Sequence, residues 1–386
     1  MLSAFGVTPL LGQDENAAFL AKLGKDKRMI FHSTRPGVLE TPAELLRHHR
    51  ITPKELLFIR NNQELAGALH LESHSTDGWT LYLSGLIDKP RTVAYGDIAS
   101  LDQTEVEAVL QCSGNGRSFY AGSVKTRGTQ WGRGGMGNVR WRGVPLKTFL
   151  QSQGVEVEPE AMFLAAEGKD GPVAPAAPDF EHSVPLDDAL EFGMLALEMN
   201  GEKLPALHGG PLRLVLPGYY GTMNVKWLHK LRFEMGESQN RHHIGRYRTF
   251  DKPVEPGSDQ SYSAENSTPT WRQRVKTIIW KPGPGSSIDS GAVEVSGVAW
   301  NDGSSEIAAV EVSIDQGDTW QRAKLEAKTS RYSWRHWNAE VEIAGGSGEV
   351  WARTVDAMGS SQPPDGSIHW NPSGYEWFGF DKLKLG

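Results

Sequence analysis

Alternate residues are apolar in Val293-Glu294-Val295-Ser296 and again in Val310-Glu311-Val312-Ser313-Ile314, the period of two that presses one face of a strand against a core. Asp315-Gln316-Gly317-Asp318 supplies a turn before Thr319-Trp320. Strands of this period at short spacing predict a β-sandwich, with Trp334, Trp337 and Trp351 in its core rather than on a ligand face. From about 65 to 250, apolar strands alternate with loops and a few helices, a mixed α+β pattern. There Leu186, Ala189, Leu190, Met194 and Leu197 predict one helix from Pro185 to Asn200, stopped by Gly201. Residues 1 to about 50 read as an irregular arm ending in a short helix, where Thr41-Pro42-Ala43-Glu44 has the form of a capping box with proline at the first helical position. Thr52-Pro53-Lys54-Glu55 repeats the device and leads into the apolar run Leu56-Leu57-Phe58-Ile59, which delivers Arg60. Prolines, glycine and serines between 251 and 270 mark a linker. The expected organisation is an arm at 1–50, a central domain at 51–255 and a second domain at 256–386.

Composition narrows what such a chain can do. Its 386 residues suggest two or three domains, and a hydrophobic content of 38% is enough to build cores. No apolar run approaches the ~18 residues that cross a bilayer as a helix. A net charge of −7 and a pI near 6.0 argue against general nucleic-acid binding, so an anionic ligand must meet locally clustered Arg and Lys. One cysteine excludes an intrachain disulfide and a Cys-x-x-Cys-His haem attachment. The N-terminal Met-Leu-Ser-Ala-Phe-Gly-Val has no cationic segment and no twin arginine, so an intact export signal is not expected. Adjacent histidines point in different directions, and both His48-His49 and His242-His243 are expected on solvated surface. Gly132-Arg133-Gly134-Gly135-Met136-Gly137-Asn138 has bare backbone that could approach a phosphate, although no Walker or Rossmann context surrounds it.

The lone cysteine stands in Gln111-Cys112-Ser113-Gly114-Asn115-Gly116-Arg117, after the apolar run Val106-Glu107-Ala108-Val109-Leu110. A strand that stops at Ser-Gly-Asn-Gly leaves its cysteine at an exposed end. Convergent backbone N–H groups and an arginine five residues on favour thiolate, the form that binds soft metals. Taken alone, the stretch reads more readily as a buried cysteine acting as a small hydrophobe, since one cysteine defines no metal site by spacing. However, Cys112-Ser113-Gly114-Asn115-Gly116-Arg117 resembles the molybdenum-binding loop of the sulfite oxidase family. Further segments match in the family's order: Phe58-Ile59-Arg60-Asn61-Asn62, His208-Gly209-Gly210-Pro211-Leu212-Arg213, and Pro217-Gly218-Tyr219-Tyr220-Gly221 leading to Val225-Lys226-Trp227-Leu228. The similarity runs from roughly 50 to 375.

The resemblance implies an α+β molybdopterin-binding domain followed by an all-β immunoglobulin-like domain that commonly makes a homodimer contact. It implies molybdenum ligated by Cys112 and a pyranopterin dithiolene, with His208, Arg213 and Lys226 at the pterin and its phosphate. Phe58, Arg60, Asn61 and Asn62 belong beside the cofactor. Arg60, Arg117 and Arg127 would surround the substrate pocket with Trp131 and Tyr247. The implied reaction is oxidation of sulfite to sulfate, with electrons leaving to a separate c-type cytochrome, since 50 residues are too few for a cytochrome b5 domain and no haem cysteines exist. A sulfane dehydrogenase acting on carrier-bound sulfur and an oxygen-using sulfite oxidase share this architecture, as does the molybdenum domain of assimilatory nitrate reductase. A cofactor-free binding module is the remaining alternative, and predicts no molybdenum. Bacterial relatives are often exported, so a periplasmic location is expected if a leader has been removed, and a cytoplasmic one otherwise. Two departures bear on the substrate. Trp370-Asn371-Pro372-Ser373-Gly374 stands where relatives carry Trp-Asn-Leu-Arg-Gly, and Asn62 stands where they carry histidine.

Overall fold

The computed structural model describes residues 13–34, 37–62, 76–170, 179–286, 290–343 and 348–385. The strand Thr104–Gln111 pairs antiparallel with Met136–Pro145, from Thr104 opposite Gly143 to Gln111 opposite Met136. Cys112 therefore sits one residue past a fully paired ladder, which fixes where its side chain goes. Met136–Pro145 also pairs with Met194–Met199, which takes Arg213–Val215 as a further neighbour and so lies inside a five-stranded sheet. A second five-stranded sheet contains Thr80–Gly85 beside Leu228–Glu234, the latter flanked in turn by Phe163–Gly168 and Glu181–Pro185. Leu81, Leu83, Leu164, Leu195, Leu214 and Leu231 fill the core between the sheets.

The helix expected from Pro185 to Asn200 is half right. It covers only Leu186–Phe192, Gly193 is extended (φ −70°, ψ 142°), and Met194–Met199 is a strand. Met194, Leu195, Ala196 and Leu197 are all buried, because Leu195 and Leu197 face one core while Met194 and Ala196 face another. A strand buried on both faces shows a continuous apolar run, and its last members happened to fall on a helical period.

Neither capping box caps a helix. A 3₁₀ turn covers Ala43–Leu46 without a side-chain cap, and the Thr41 hydroxyl donates instead to the Leu56 carbonyl. The Thr52 hydroxyl accepts from the Asn138 N–H at 3.0 Å. Both threonines tie separate segments together, a tertiary use that local spacing does not reveal. The arm is more regular than expected: a helix, Gln13–Lys22, precedes a three-stranded sheet of Ile30–Thr34, Gly37–Glu40 and Ile59–Arg60.

Beyond residue 270, two four-stranded antiparallel sheets enclose one core that includes Ile279, Val295, Val310, Val312, Trp337 and Val350. The expected turn is present, with Gln316 and Gly317 both at positive φ and Asp315 accepting from the Thr319 N–H at 2.9 Å. Trp337 belongs to this core, and Trp334 packs in a neighbouring cluster with Trp280 and Trp300. Trp351 does not: it is half-buried at the surface, with the Lys382 ammonium 3.8 Å from its ring centre. The composition-based linker is a loop closed at its base, since Arg248–Phe250 pairs with Ser267–Pro269. Finally, residues 366–380 leave the sheets and return to the central domain, where the Glu376 N–H donates to the Ser113 carbonyl at 2.7 Å.

Candidate active site

Cys112 is 7% exposed, so the expectation of an exposed cysteine is corrected. Its N–H donates to the Gly135 carbonyl at 2.8 Å, and the Asn115 N–H returns to the Cys112 carbonyl at 2.9 Å. The Gly114 N–H points at the sulfur, 3.4 Å away. Gly116 closes the loop at φ 88°, and a Cβ there would lie 2.7 Å from the Trp377 ring. The loop is thus held by Met136–Pro145 on one side and by the returning segment on the other, which buries the thiol at the floor of a cleft.

That cleft is lined by Arg60, Asn61, Asn62, Cys112, His208, Arg213 and Lys226, with Phe58, Asp170, Thr222 and Tyr247 among its other walls. One side is cationic. The Arg213 guanidinium, 3% exposed, donates to the carbonyls of Asn224 and His208 at 3.1 and 2.8 Å. Lys226 Nζ donates to the Asn61 side chain. Lys25, from the N-terminal arm, reaches His208 Nε2 at 2.9 Å. Among the described residues these three cations meet carbonyl, amide and imidazole partners rather than ion pairs.

The cost of that arrangement appears in their acidities. Burial lowers Arg213 to about 9 and Lys25 to about 7. Burial, with Arg213 adding repulsion, pulls Lys226 well below its ordinary value. Burial and then Lys25 keep His208 well below its own, so it is a neutral acceptor. Asp170 is pushed up to about 6 by burial against the pull of Lys226, and its Oδ1 is buried with no hydrogen-bond partner among the described residues. Buried cationic groups that outnumber the single carboxyl of Asp170 fit a ligand that carries negative charge. A pyranopterin phosphate has that charge, and its heterocycle has N–H groups for an acceptor such as Asp170. Among the described residues no three of His, Cys, Asp and Glu converge. A metal here would rest on Cys112 together with ligands from an organic cofactor.

The opposite wall is smaller. Arg60 Nη2 and the Tyr247 hydroxyl both donate to Asn62 Oδ1 at 2.6 Å, and Arg60 lies 3.4 Å from the Tyr247 oxygen. Tyr247 has φ 55° and stacks on Tyr375, ring centres 5.1 Å apart.

Three residues expected at the pocket lie elsewhere. Arg117 is buried behind Tyr375, its guanidinium carbon 5.3 Å from that ring, donating to the carbonyls of Ser373 and Thr129 at 2.6 and 2.7 Å. Arg127 is exposed and pairs with Asp259 at 2.5 Å, since the loop at 251–266 draws it outward. Trp131 is fully buried against Phe58 and His32, in the core under Cys112, its indole N–H without a partner among the described residues. The glycine-rich loop is also otherwise engaged. The N–H groups of Gly132 and Gly134 donate to the two oxygens of Glu40 at 3.1 and 2.9 Å, and Gly135 donates to Asn115. His48 is exposed as expected, but His242 and His243 are buried, correcting that expectation for the second pair. Lys25, Asp170, His182 and Tyr375 were not picked out from the sequence. Their only signal there is ordinary composition, because their place depends on sheets that bring distant segments together.

Two family models match this chain, the oxidoreductase molybdopterin binding domain over residues 68–242 and the Mo-co oxidoreductase dimerisation domain over 267–379. Sulfite oxidase of Gallus gallus is 30% identical over 354 residues, spanning 89% of this chain and 74% of its own. This chain belongs to the sulfite oxidase family. Mitochondrial sulfite oxidase of Drosophila melanogaster is also 30% identical over 92% of the chain, which spans 62% of that relative's length. The sulfane dehydrogenase SoxCD of Paracoccus pantotrophus has a similar structure, with a TM-score of 0.76 and 26% identity, covering 100% of this chain and 92% of its own. Within this sulfite oxidase family fold, both matched domains contribute to the cleft's surroundings, the second through residues 366–380.

Proposed function

We propose that the protein oxidises sulfite to sulfate with molybdenum bound through Cys112, and passes the electrons to an external one-electron acceptor. The observation that carries this reading is a thiol at the floor of a cleft whose walls hold Arg213 and Lys226, which make no ion pair among the described residues, with Lys25 behind the lining residue His208. When bound, a molybdenum pyranopterin supplies two-electron redox chemistry and oxygen-atom transfer. Arg213 and Lys226 hold its phosphate and pterin by charge-assisted hydrogen bonds, and Lys25, bound to Leu57 and His208, keeps the His208 ring oriented. Arg60 presents its guanidinium to a sulfur oxyanion, and Asn62, which accepts from both Arg60 and the Tyr247 hydroxyl, holds the two side chains together on that wall. Asn62 in place of histidine makes this wall independent of a titrating imidazole. Arg117 acts by backing Tyr375 and Tyr247, so Ser373 serves through its carbonyl rather than through a side-chain charge.

The same reading takes a c-type cytochrome as acceptor and a haem-free chain, with domains divided near 255, an immunoglobulin-like second domain forming a homodimer, and a periplasmic home after loss of a leader. The test is sulfite-dependent reduction of ferricyanide or cytochrome c, with molybdenum per chain measured by mass spectrometry on the same sample. Near-stoichiometric metal with turnover is the expected result. Metal without turnover on free sulfite overturns it in favour of carrier-bound sulfur.

A further inference from the structure

Sulfite oxidation consumes water and releases two protons with its two electrons, and those protons must leave a site whose thiol is buried at the cleft floor. Four groups form a line leading from it. Thr222 lines the cleft, and its hydroxyl lies 3.2 Å from His182 Nε2. His182 Nδ1 lies 3.1 Å from His243 Nδ1. His243 Nε2 lies 3.3 Å from Glu237 Oε2 and 3.2 Å from the Ser183 hydroxyl. His182 and His243 are 1% and 0% exposed, whereas the Glu237 side chain is 20% exposed. We infer that Thr222, His182, His243 and Glu237 form a proton wire from the cleft to the surface.

The wire has a direction. Arg248 donates to Glu237 at 2.6 Å, and its hydrogen bonds with His243 and Arg248 hold that carboxyl below its ordinary value against burial, so it accepts. His243 must then carry its proton on Nε2, which leaves Nδ1 as acceptor and puts the His182 proton on Nδ1. His182 Nε2 is left to accept from Thr222. One set of neutral tautomers thus satisfies every link, and each donor points outward. Burial, and next the nearby His243, hold His182 well below the ordinary imidazole value, so the His182 ring rests neutral. A proton entering at Thr222 displaces the hydroxyl proton to His182, the His182 Nδ1 proton to His243, and the His243 Nε2 proton to Glu237 and water. The balance is sulfite plus water giving sulfate, two protons and two electrons, the electrons going to a one-electron acceptor such as ferricyanide. His242, Tyr247 and Arg248 are the other titratable or charged groups around the pair.

This inference rests on the proposed reaction, and its test separates the two. Thr222→Val and His243→Gln, loaded with molybdenum, are compared with the unaltered holoenzyme in water and in deuterium oxide. The expected result is a kcat about 100-fold lower, the lower end of what a positioned proton-transfer group contributes. The solvent isotope effect on kcat rises, while KM for sulfite, molybdenum content and melting temperature stay the same. Unchanged kcat and isotope effect overturn the wire, as does a rate loss that tracks lost metal or lost stability. Nitrogen NMR of the imidazoles supplies a readout besides activity. A proton on Nδ1 of His182 and on Nε2 of His243 supports the wire, and the reverse pair overturns it. If the unaltered holoenzyme turns over no sulfite, the proposed reaction fails, and the tautomers alone decide whether the outward wire exists.

Discussion

Cys112 carries little of the fold's weight, because its sulfur accepts one long contact from the Gly114 N–H while the loop around it is held through backbone groups. Cys112→Ser should therefore melt within a few degrees of the unaltered protein and lose sulfite-dependent ferricyanide reduction entirely. Lys25 behaves in the opposite way. Its folded-state value near 7 lies below the 10.5 it regains on unfolding, so the unfolded chain binds the extra proton between those values. Stability of the cofactor-free protein should rise from about pH 7 to about pH 10.5 and fall as acid restores the buried charge. Lys25→Met should flatten that slope in thermal melts and, at the same time, lower the molybdenum bound per chain. Cys112, Arg60, His208, Arg213 and Lys226 were legible in the sequence because each sits in a short segment whose residue order carries the resemblance. Lys25 and Asp170 were not, since nothing in Leu23-Gly24-Lys25-Asp26 or Gly168-Lys169-Asp170 distinguishes a buried partner of His208 or a cleft wall from a solvated turn until burial is known.

The glycine-rich loop illustrates how an element can look ready for a ligand and be occupied from within. Gly132 and Gly134 direct their N–H groups at Glu40, and a Cβ on Gly134 would sit 1.6 Å from the Thr41 carbonyl oxygen. Gly134→Ala must therefore displace backbone, and should cost about 1–3 kcal/mol or more in urea unfolding, the usual scale for overpacking. Element type was readable where period and surroundings agreed, as in Val310–Ser313 and the turn at 315–318. It failed at Met194–Met199, where burial on both faces erased the alternation by which a strand announces itself, and at Thr41 and Thr52, whose hydroxyls serve distant segments. His242-His243 failed for a related reason. A pair that looks solvated by sequence is enclosed because the turn Arg241–Ile244 packs on the strand Glu181–Pro185.

Across the whole molecule, the two matched domains cannot be treated as separable parts. Trp300 Nε1 donates to Gln111 Oε1 at 2.8 Å, Lys276 reaches the Trp377 carbonyl at 2.7 Å and the Asn115 carbonyl at 3.3 Å, and Tyr375 backs Tyr247. A fragment ending at residue 266 should expose this apolar interface, bind a hydrophobic dye and retain no molybdenum after gel filtration. Soluble, metal-loaded fragment would show that the central domain closes its own cleft.

The returning segment also sets an order of events during synthesis. Residues 13–62 and 366–380 border the same cleft, yet a ribosome delivers them some three hundred codons apart. A nascent chain with its central sheets already formed still lacks Tyr375, Glu376 and Trp377, and its cysteine loop stands open on that side. A chain cut before residue 366 would therefore lack the Glu376 hydrogen bond to Ser113 and the Trp377 ring against Gly116, the two contacts that hold the cysteine loop from that side.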